Sequence, residues 1–224
     1  MAMVREKRAR ALLMGFLILA AGCMASCLAG CAPRSRVSCE LTHYSDAALA
    51  ATSSRAAIAI LPFQSARDVP ESLARLSGEI LTGLLSRESW PVIGPAELLS
   101  AWEAAEQSPW RLPESKEDFH RLGGLLNADV AVLGAATRCI CGQTGPTEIA
   151  FSVAVVDLAS GRKIASFDAS GASEKGLAYS GLSKPPQSPE SLAPAVMSSV
   201  RSSVVKVLKR AGKGPTRGAP ENQE

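Results

Sequence analysis

Ala57-Ile58-Ala59-Ile60-Leu61-Pro62-Phe63 is the stretch that decides the fold. It is short and apolar throughout, with no polar residue at alternate positions, as a strand buried on both faces requires. Pro62 has no N–H to give to a neighbour and ends the ladder. Such a strand belongs at the centre of a sheet with other elements packed on it.

The segments downstream supply those elements. Asp68 is placed to cap a helix, with Pro70 in its first turn and Glu71 completing a capping box. Leu73, Leu76, Ile80, Leu84 and Leu85 then recur at helical spacing, while Glu71, Arg75, Glu79 and Arg87 are left for water. Trp90-Pro91-Val92-Ile93-Gly94-Pro95 reads as a very short strand, and Pro95 starts a second helix carrying Leu98, Leu99 and Trp102. Ser115 with Asp118 opens a third, in which Phe119, Leu122 and Leu126 share a face and Asn127 supplies a left-handed carboxy cap.

Asp129-Val130-Ala131-Val132-Leu133-Gly134 is the next strand. From Thr147 to Leu158, large Ile149, Phe151, Val153 and Val155 alternate with small Ala150, Ser152 and Ala154. Ala159-Ser160-Gly161-Arg162 turns the chain tightly into Lys163-Ile164-Ala165-Ser166-Phe167, with Gly161 available for positive φ. Strands joined so closely must be antiparallel. A last helix, capped by Ser191 with Pro194 in its first turn, carries the stripe Val196, Val200, Val204, Val207 and Leu208 and ends with Lys206, Lys209 and Arg210. The expectation is an α/β (α+β) domain over residues 56–211. Its mixed sheet has about five strands flanked by helices, in the order strand-helix-strand-helix-helix-strand-strand-strand-helix.

The amino terminus has a separate logic. Arg5, Lys7, Arg8 and Arg10 precede an apolar run from Ala11 to Ala29, the layout of a secretory signal. Leu28-Ala29-Gly30-Cys31 resembles the lipobox read by lipoprotein signal peptidase: a branched residue, two small residues, then the cysteine that receives diacylglycerol. Cys31 is therefore the expected lipidation site, residues 1–30 the signal peptide, and the membrane a partner through the lipid. Leu19-Ala20-Ala21-Gly22-Cys23 is a second candidate, and Cys27 a third. An uncleaved spanning helix is the competing reading, since the run is about as long as the ~20 residues a span requires. Ala32 follows Cys31 in place of the aspartate that commonly retains lipoproteins at the inner membrane, so the outer membrane, facing the periplasm, is expected. Residues 31–55 show no sustained period and read as a flexible tether, and residues 212–224 as a disordered tail.

The formal net charge is +3, but Arg5, Lys7, Arg8 and Arg10 sit in the segment to be removed. A nearly neutral mature chain does not indicate a nucleic-acid partner. Cleavage at Cys31 leaves Cys39, Cys139 and Cys141. On an extended strand the Cα atoms of Cys139 and Cys141 would lie about 6.5 to 7 Å apart, at or beyond the limit for a relaxed disulfide. A bridge from Cys39 to one of them is the expectation, or two small buried hydrophobes; no second cysteine pair or nearby histidine completes a metal site.

Several stretches together, in order and spacing, are similar to one family: Ile58-Ala59-Ile60-Leu61-Pro62-Phe63, Val92-Ile93-Gly94-Pro95 with Leu98 and Leu99, Leu122-Gly123 with Ala128-Asp129-Val130, Gly134, and Val155-Val156-Asp157-Leu158-Ala159-Ser160-Gly161. They resemble the periplasmic lipoprotein domains grouped around CsgG, the LpoB-type activators of penicillin-binding proteins and the TolB amino-terminal domain. The resemblance implies an α/β domain on a lipid tether that acts through contact with another envelope protein, a penicillin-binding protein among the candidates. CsgG-type pores add long hairpins, and a spanning strand needs about 9 to 11 alternating residues. The connections here are too short to hold them.

Enzyme-like patterns are thin. Ser203-Val204-Val205-Lys206 has the Ser-x-x-Lys spacing of serine enzymes acting on peptidoglycan and β-lactams, without the Ser-Asp-Asn or Lys-Thr-Gly partners. His43 and His120 are the only histidines, and neither lies in a ligand pattern. Gly123-Gly124 and Gly212-Lys213-Gly214 lack the phosphate-loop spacing. The expectation is a non-enzymatic interaction or regulatory module of the envelope, without catalytic residues, cofactor or metal. A component of a secretion or surface-assembly apparatus and a periplasmic hydrolase are the alternatives.

Overall fold

The computed structural model describes residues 35–45, 57–105, 110–141, 146–173 and 187–211. In chain order the strands are β1 (Ser35–Tyr44), β2 (Ile58–Ile60), β3 (Gln64–Ser65), β4 (Val92–Ile93), β5 (Val130–Ile140), β6 (Glu148–Asp157) and β7 (Lys163–Ser173). The helices are α1 (Glu71–Leu85), α2 (Pro95–Ala104), α3 (Lys116–Leu126) and α4 (Pro189–Ala211). They build one sheet in the order β1-β7-β6-β5-β2-β4, with β3 beside β5. The sheet is mixed: β2 runs parallel to β4 and β5, whereas β5/β6, β6/β7 and β7/β1 are antiparallel.

The expected mixed α/β fold and the order of its elements from β2 onward are present, with seven strands in place of about five. All of β2 is buried, as a two-faced apolar run demands. Ile58 and Ile60 join one core with α1, α4 and the inner faces of β5, β6 and β7. Ala59 and Leu61 join a second with Leu98, Phe119, Leu122, Leu126 and Leu158 beneath α2 and α3.

Part of the expected tether is a strand. Ser35–Tyr44 pairs along its length with β7, placing Val37 and Cys39 against the core and Arg36, Ser38 and Glu40 in water. The alternation is real but made of small and polar residues, and a bulge between Leu41 and His43 breaks its period. The expected signal peptide, residues 1–30, the rest of the expected tether, 31–34 and 46–55, and the expected tail, 212–224, lie outside the described residues.

Three helix details also depart from expectation. Asp68 does not cap α1: the helix begins at Glu71 after Pro70, without a side-chain cap. Its buried face is Leu73, Ala74, Ser77, Leu81 and Leu85, so Leu76, Ile80 and Leu84 lie at its margins. Small Ser77 and Gly78 lead that face inward because they allow close approach, and Gly78 lies under Phe63 and Pro95. For α4 it is Ser188 Oγ, not Ser191, that accepts the N–H at the helix start, from Ser191 at 3.3 Å. Pro194 therefore stands inside the helix, in its second turn, where its missing N–H costs one intrahelical bond.

Other local signals hold. Ser115 and Asp118 form a reciprocal capping box, and the hydroxyl and N–H of Ser115 hold the Asp118 carboxyl below its ordinary range. Asn127 ends α3 in the left-handed region at φ 49°. At Gly134 the limit is space: a Cβ there would lie 2.3 Å from the Phe63 ring. Gly134→Ala should lower stability by about 1–3 kcal/mol through overpacking. Removing the ring by Phe63→Ala should then cost less in the Gly134→Ala background than in the wild type. Urea melts of the four proteins check this, and an additive pair would mean the ring does not lie over Gly134.

Candidate functional site: the open face of the sheet

One face of the sheet is covered by α1 and α4, and the other only over β4, β2 and the first part of β5, by α2 and α3. Beyond that, the outer face of β6, β7 and β1 has no helix on it among the described residues. The pairing register puts the open face in rows. Arg36, Ala172, Glu148 and Ile140 form one, and Ser38, Ser170, Ala150 and Arg138 the next. Glu40, Asp168, Ser152 and Ala135 form a third. The first two rows surround a shallow depression of about 280 Å³ whose rim includes both arginines and Glu148.

The chemistry of this face is mixed and wet. Arg138 and Glu148 pair at 3.5 Å in solvent, where an ion pair is worth little. Ser38 and Ser170 hydroxyls meet at 2.9 Å, and Thr42 and Ser166 at 3.0 Å. Glu40 stands directly opposite Asp168, both exposed, a like-charge cross-strand pair that opposes the pairing of β1 with β7. Small side chains on the remaining positions leave the surface flat. Such a surface can accept another macromolecule; it does not enclose a small one.

The residues singled out as enzyme-like do not converge. Ser203 is half-buried, its Oγ 3.4 Å from Cys39 Sγ across the α4–β1 contact, whereas Lys206 is exposed. His120 is exposed on α3 and His43 lies in β1. Asp157 is buried and accepts hydrogen bonds from the N–H and hydroxyl of Ser160, holding the β6–β7 turn in which Gly161 takes φ 67°. Asp129 Oδ2 accepts the Ala57 N–H at 3.0 Å and ties β2 to β5. Among the described residues no three His, Cys, Asp or Glu side chains converge as a metal cluster, and no helix is long and apolar enough to cross a membrane. Cys31 and Cys23 lie outside the described residues.

The expected bridge from Cys39 is not formed; Cys39, Cys139 and Cys141 are free thiols. Two strands separate β1 from β5, so Cys39 lies at least three strand spacings, about 14 Å, from Cys139, twice what a disulfide spans. Nor are Cys139 and Cys141 both buried. Cys139 is half-buried against the core, Cys141 is exposed just past the end of β5, and their sulfurs are 3.9 Å apart. Burial above all, then the hydrogen bond with Cys141 and the charges of Cys141 and Glu190, pushes the Cys139 thiol up to about 11.

No family model matches the chain, and no curated protein matches it. Solved structures do. The PelC dodecamer protein from Paraburkholderia phytofirmans is similar over 77% of this chain and 97% of its own, at 16% identity and a TM-score of 0.43. Lipoprotein GNA1162 from Neisseria meningitidis is similar over 69% of this chain and 99% of its own, at 16% identity and a TM-score of 0.43. The LpoB C-terminal domain from Escherichia coli is similar over 52% of this chain and 82% of its own, at 10% identity and a TM-score of 0.39. Likeness at this level carries no function from those proteins to this chain.

The thiol makes a signed prediction. Between the ordinary cysteine value of 9.0 and about 11, the unfolded chain loses the Cys139 proton while the folded one keeps it. The unfolded state then binds fewer protons, and stability must fall as pH rises through that window. Urea midpoints measured from pH 8 to 11 should fall less steeply for Cys139→Ala than for the wild type. Equal slopes would refute the raised value.

Proposed function

We propose that this chain is a lipid-anchored lipoprotein of the bacterial envelope that acts without catalysis, its domain binding another envelope protein through the open face of the sheet. The observation that carries the binding reading is that face: among the described residues no helix lies over its three rows, whose side chains are half-buried to exposed and, Ile140 apart, small, polar or charged. A buried surface would be apolar there, and an enzyme cleft concave. The anchor rests on Leu28-Ala29-Gly30-Cys31 after its basic and apolar lead. An outer-membrane location, on the periplasmic side, follows from Ala32. A penicillin-binding protein, and with it peptidoglycan synthesis, is the partner class favoured by the family-like motifs from Ile58 to Gly161.

The Glu40–Asp168 pair gives the interface a sign. Like charges held opposite one another weaken the free domain slightly, and a basic side chain from a partner would relieve them. Asp168→Lys should therefore leave stability within about 0.5 kcal/mol while abolishing activity in the cell. Cys31→Ala should do the same by mislocalising the protein. Ser203→Ala, Lys206→Ala and His120→Ala should retain activity. The assay is envelope integrity in a deletion strain carrying each variant at matched abundance. If Ser203→Ala alone reproduced the deletion while folded and localised, a serine hydrolase would replace the binding module.

A further inference from the structure

The strand β1 changes the length of the leash. With residues 31–55 flexible, the domain would range tens of ångströms from its lipid. But β1 begins at Ser35, paired to Ser173 and fixed in the sheet from its first residue. Only Ala32, Pro33 and Arg34 lie between it and Cys31. Four residue steps cover at most about 14 Å, whatever path they take.

The same end of the sheet can be traced across its width. Ser35 lies opposite Ser173, whose N–H donates to the Thr147 carbonyl at 2.9 Å. Glu148, next to Thr147, pairs with Ile140, and Cys141 follows. On the inner face the Thr147 hydroxyl donates to the Gln187 carbonyl at 2.7 Å, just before α4 begins. This rim therefore gathers Arg36, Ile140, Cys141 and Arg138, the last paired with Glu148 at 3.5 Å. Ile140 is 40% exposed, one of two large apolar side chains left in water among the described residues. The opposite end holds Tyr44, under the Arg210 guanidinium, and the Asp157–Gly161 turn. A strand of ten residues separates the two ends by about 30 Å.

We infer that the Ser35 end of the sheet rests against the phospholipid headgroups of the membrane that carries the anchor, with Ile140 and the two arginines at that end of the open face turned to the lipid, the Glu40–Asp168 row left to the protein partner and the Asp157–Gly161 turn pointing away. Ile140 gains an apolar environment at the headgroup boundary, and guanidinium groups are matched to phosphate geometry. The leash makes this contact nearly unimolecular, so weak individual interactions suffice. The inference rests on the proposed lipidation of Cys31. Acylation at Cys23 would lengthen the leash to twelve steps, about 40 Å, and remove the constraint.

The test uses the mature lipidated protein in vesicles of phosphatidylethanolamine and phosphatidylglycerol. Mass spectrometry of its amino-terminal peptide first establishes which cysteine is acylated. With Cys39 and Cys139 replaced by Ala, a thiol-reactive fluorophore on native Cys141 should be quenched several-fold more by headgroup-labelled lipid than one on Ser160→Cys in the same background with Cys141→Ala. Inserting a long Gly/Ser linker between Arg34 and Ser35 should remove the difference. Hydrogen exchange on the unsubstituted protein gives the same comparison without labels, with slower exchange at Ile140 and Cys141 on vesicles than in detergent. Acylated Cys31 with equal quenching and unchanged exchange would overturn the inference and leave the proposed function standing. Acylated Cys23 would do likewise, and an unacylated chain would overturn both.

Discussion

The structure depends on a sheet that, among the described residues, is buried on two faces over its parallel half and on one face over its antiparallel half. Where β2 lies between β4 and β5, helices cover both sides, and the residues of β2 are apolar without alternation. Where β6, β7 and β1 continue the sheet, a single layer formed chiefly by α4 covers the inner face. There Ile149, Phe151, Val153 and Val155 point inward and Ala150, Ser152 and Ala154 point outward. One-sided burial makes the side-chain pattern of a strand alternate and pins its register, because a slip by one residue would put the apolar set in water. It also leaves a face for something else.

The long helix α4 is what makes one layer sufficient. It runs from the Thr147 end of the sheet, where Gln187 accepts its hydrogen bond, to the Tyr44 end, where Arg210 covers the ring. Over that length Leu192, Val196, Met197, Val200, Val204, Val207 and Leu208 are buried. The approach is close at Gly171, where a Cβ would lie 2.6 Å from Val196. Glu88 pairs with Arg201 at the middle of α4 and stands 3.9 Å from Lys209 in its last turn, joining the helix to the segment after α1. The one irregularity, Pro194, sits near the amino end, where a lost bond disturbs least of the helix.

Much of the fold was legible in the sequence because the core is written in patterns of burial. The two-faced run at Ile58, the alternation through Val153, the capping box at Ser115 and the left-handed cap at Asn127 each have one physical explanation, and each is present. What escaped was set by context. β1 alternates Arg36, Ser38 and Glu40 with Val37, Cys39 and Leu41, but as an edge strand it buries only half of its inner face, and the bulge at Thr42 cuts the run short. The open face was equally hidden, since Ser170, Asp168 and Glu40 become neighbours only through a register that links distant segments. The enzyme-like spacing from Ser203 to Lys206 is legible in sequence, but the residues have different surroundings once folded.

Among the described residues β1 is an edge strand, and this position also bears on how the domain can engage another molecule. A free strand edge invites strand addition, and proteins discourage it with charge and with bulges. β1 has both: Arg36 and Glu40 alternate with its apolar residues, and the bulge between Leu41 and His43 interrupts its ladder. A long partner strand could not stay in register past that point. Side-chain contact across the rows of β6, β7 and β1 does not meet that obstacle, because those rows project away from the sheet plane and their small residues leave room for a partner's larger ones. The same alternation that gives α4 an apolar surface to cover thus supplies, on its other side, a surface suited to recognition by side chains.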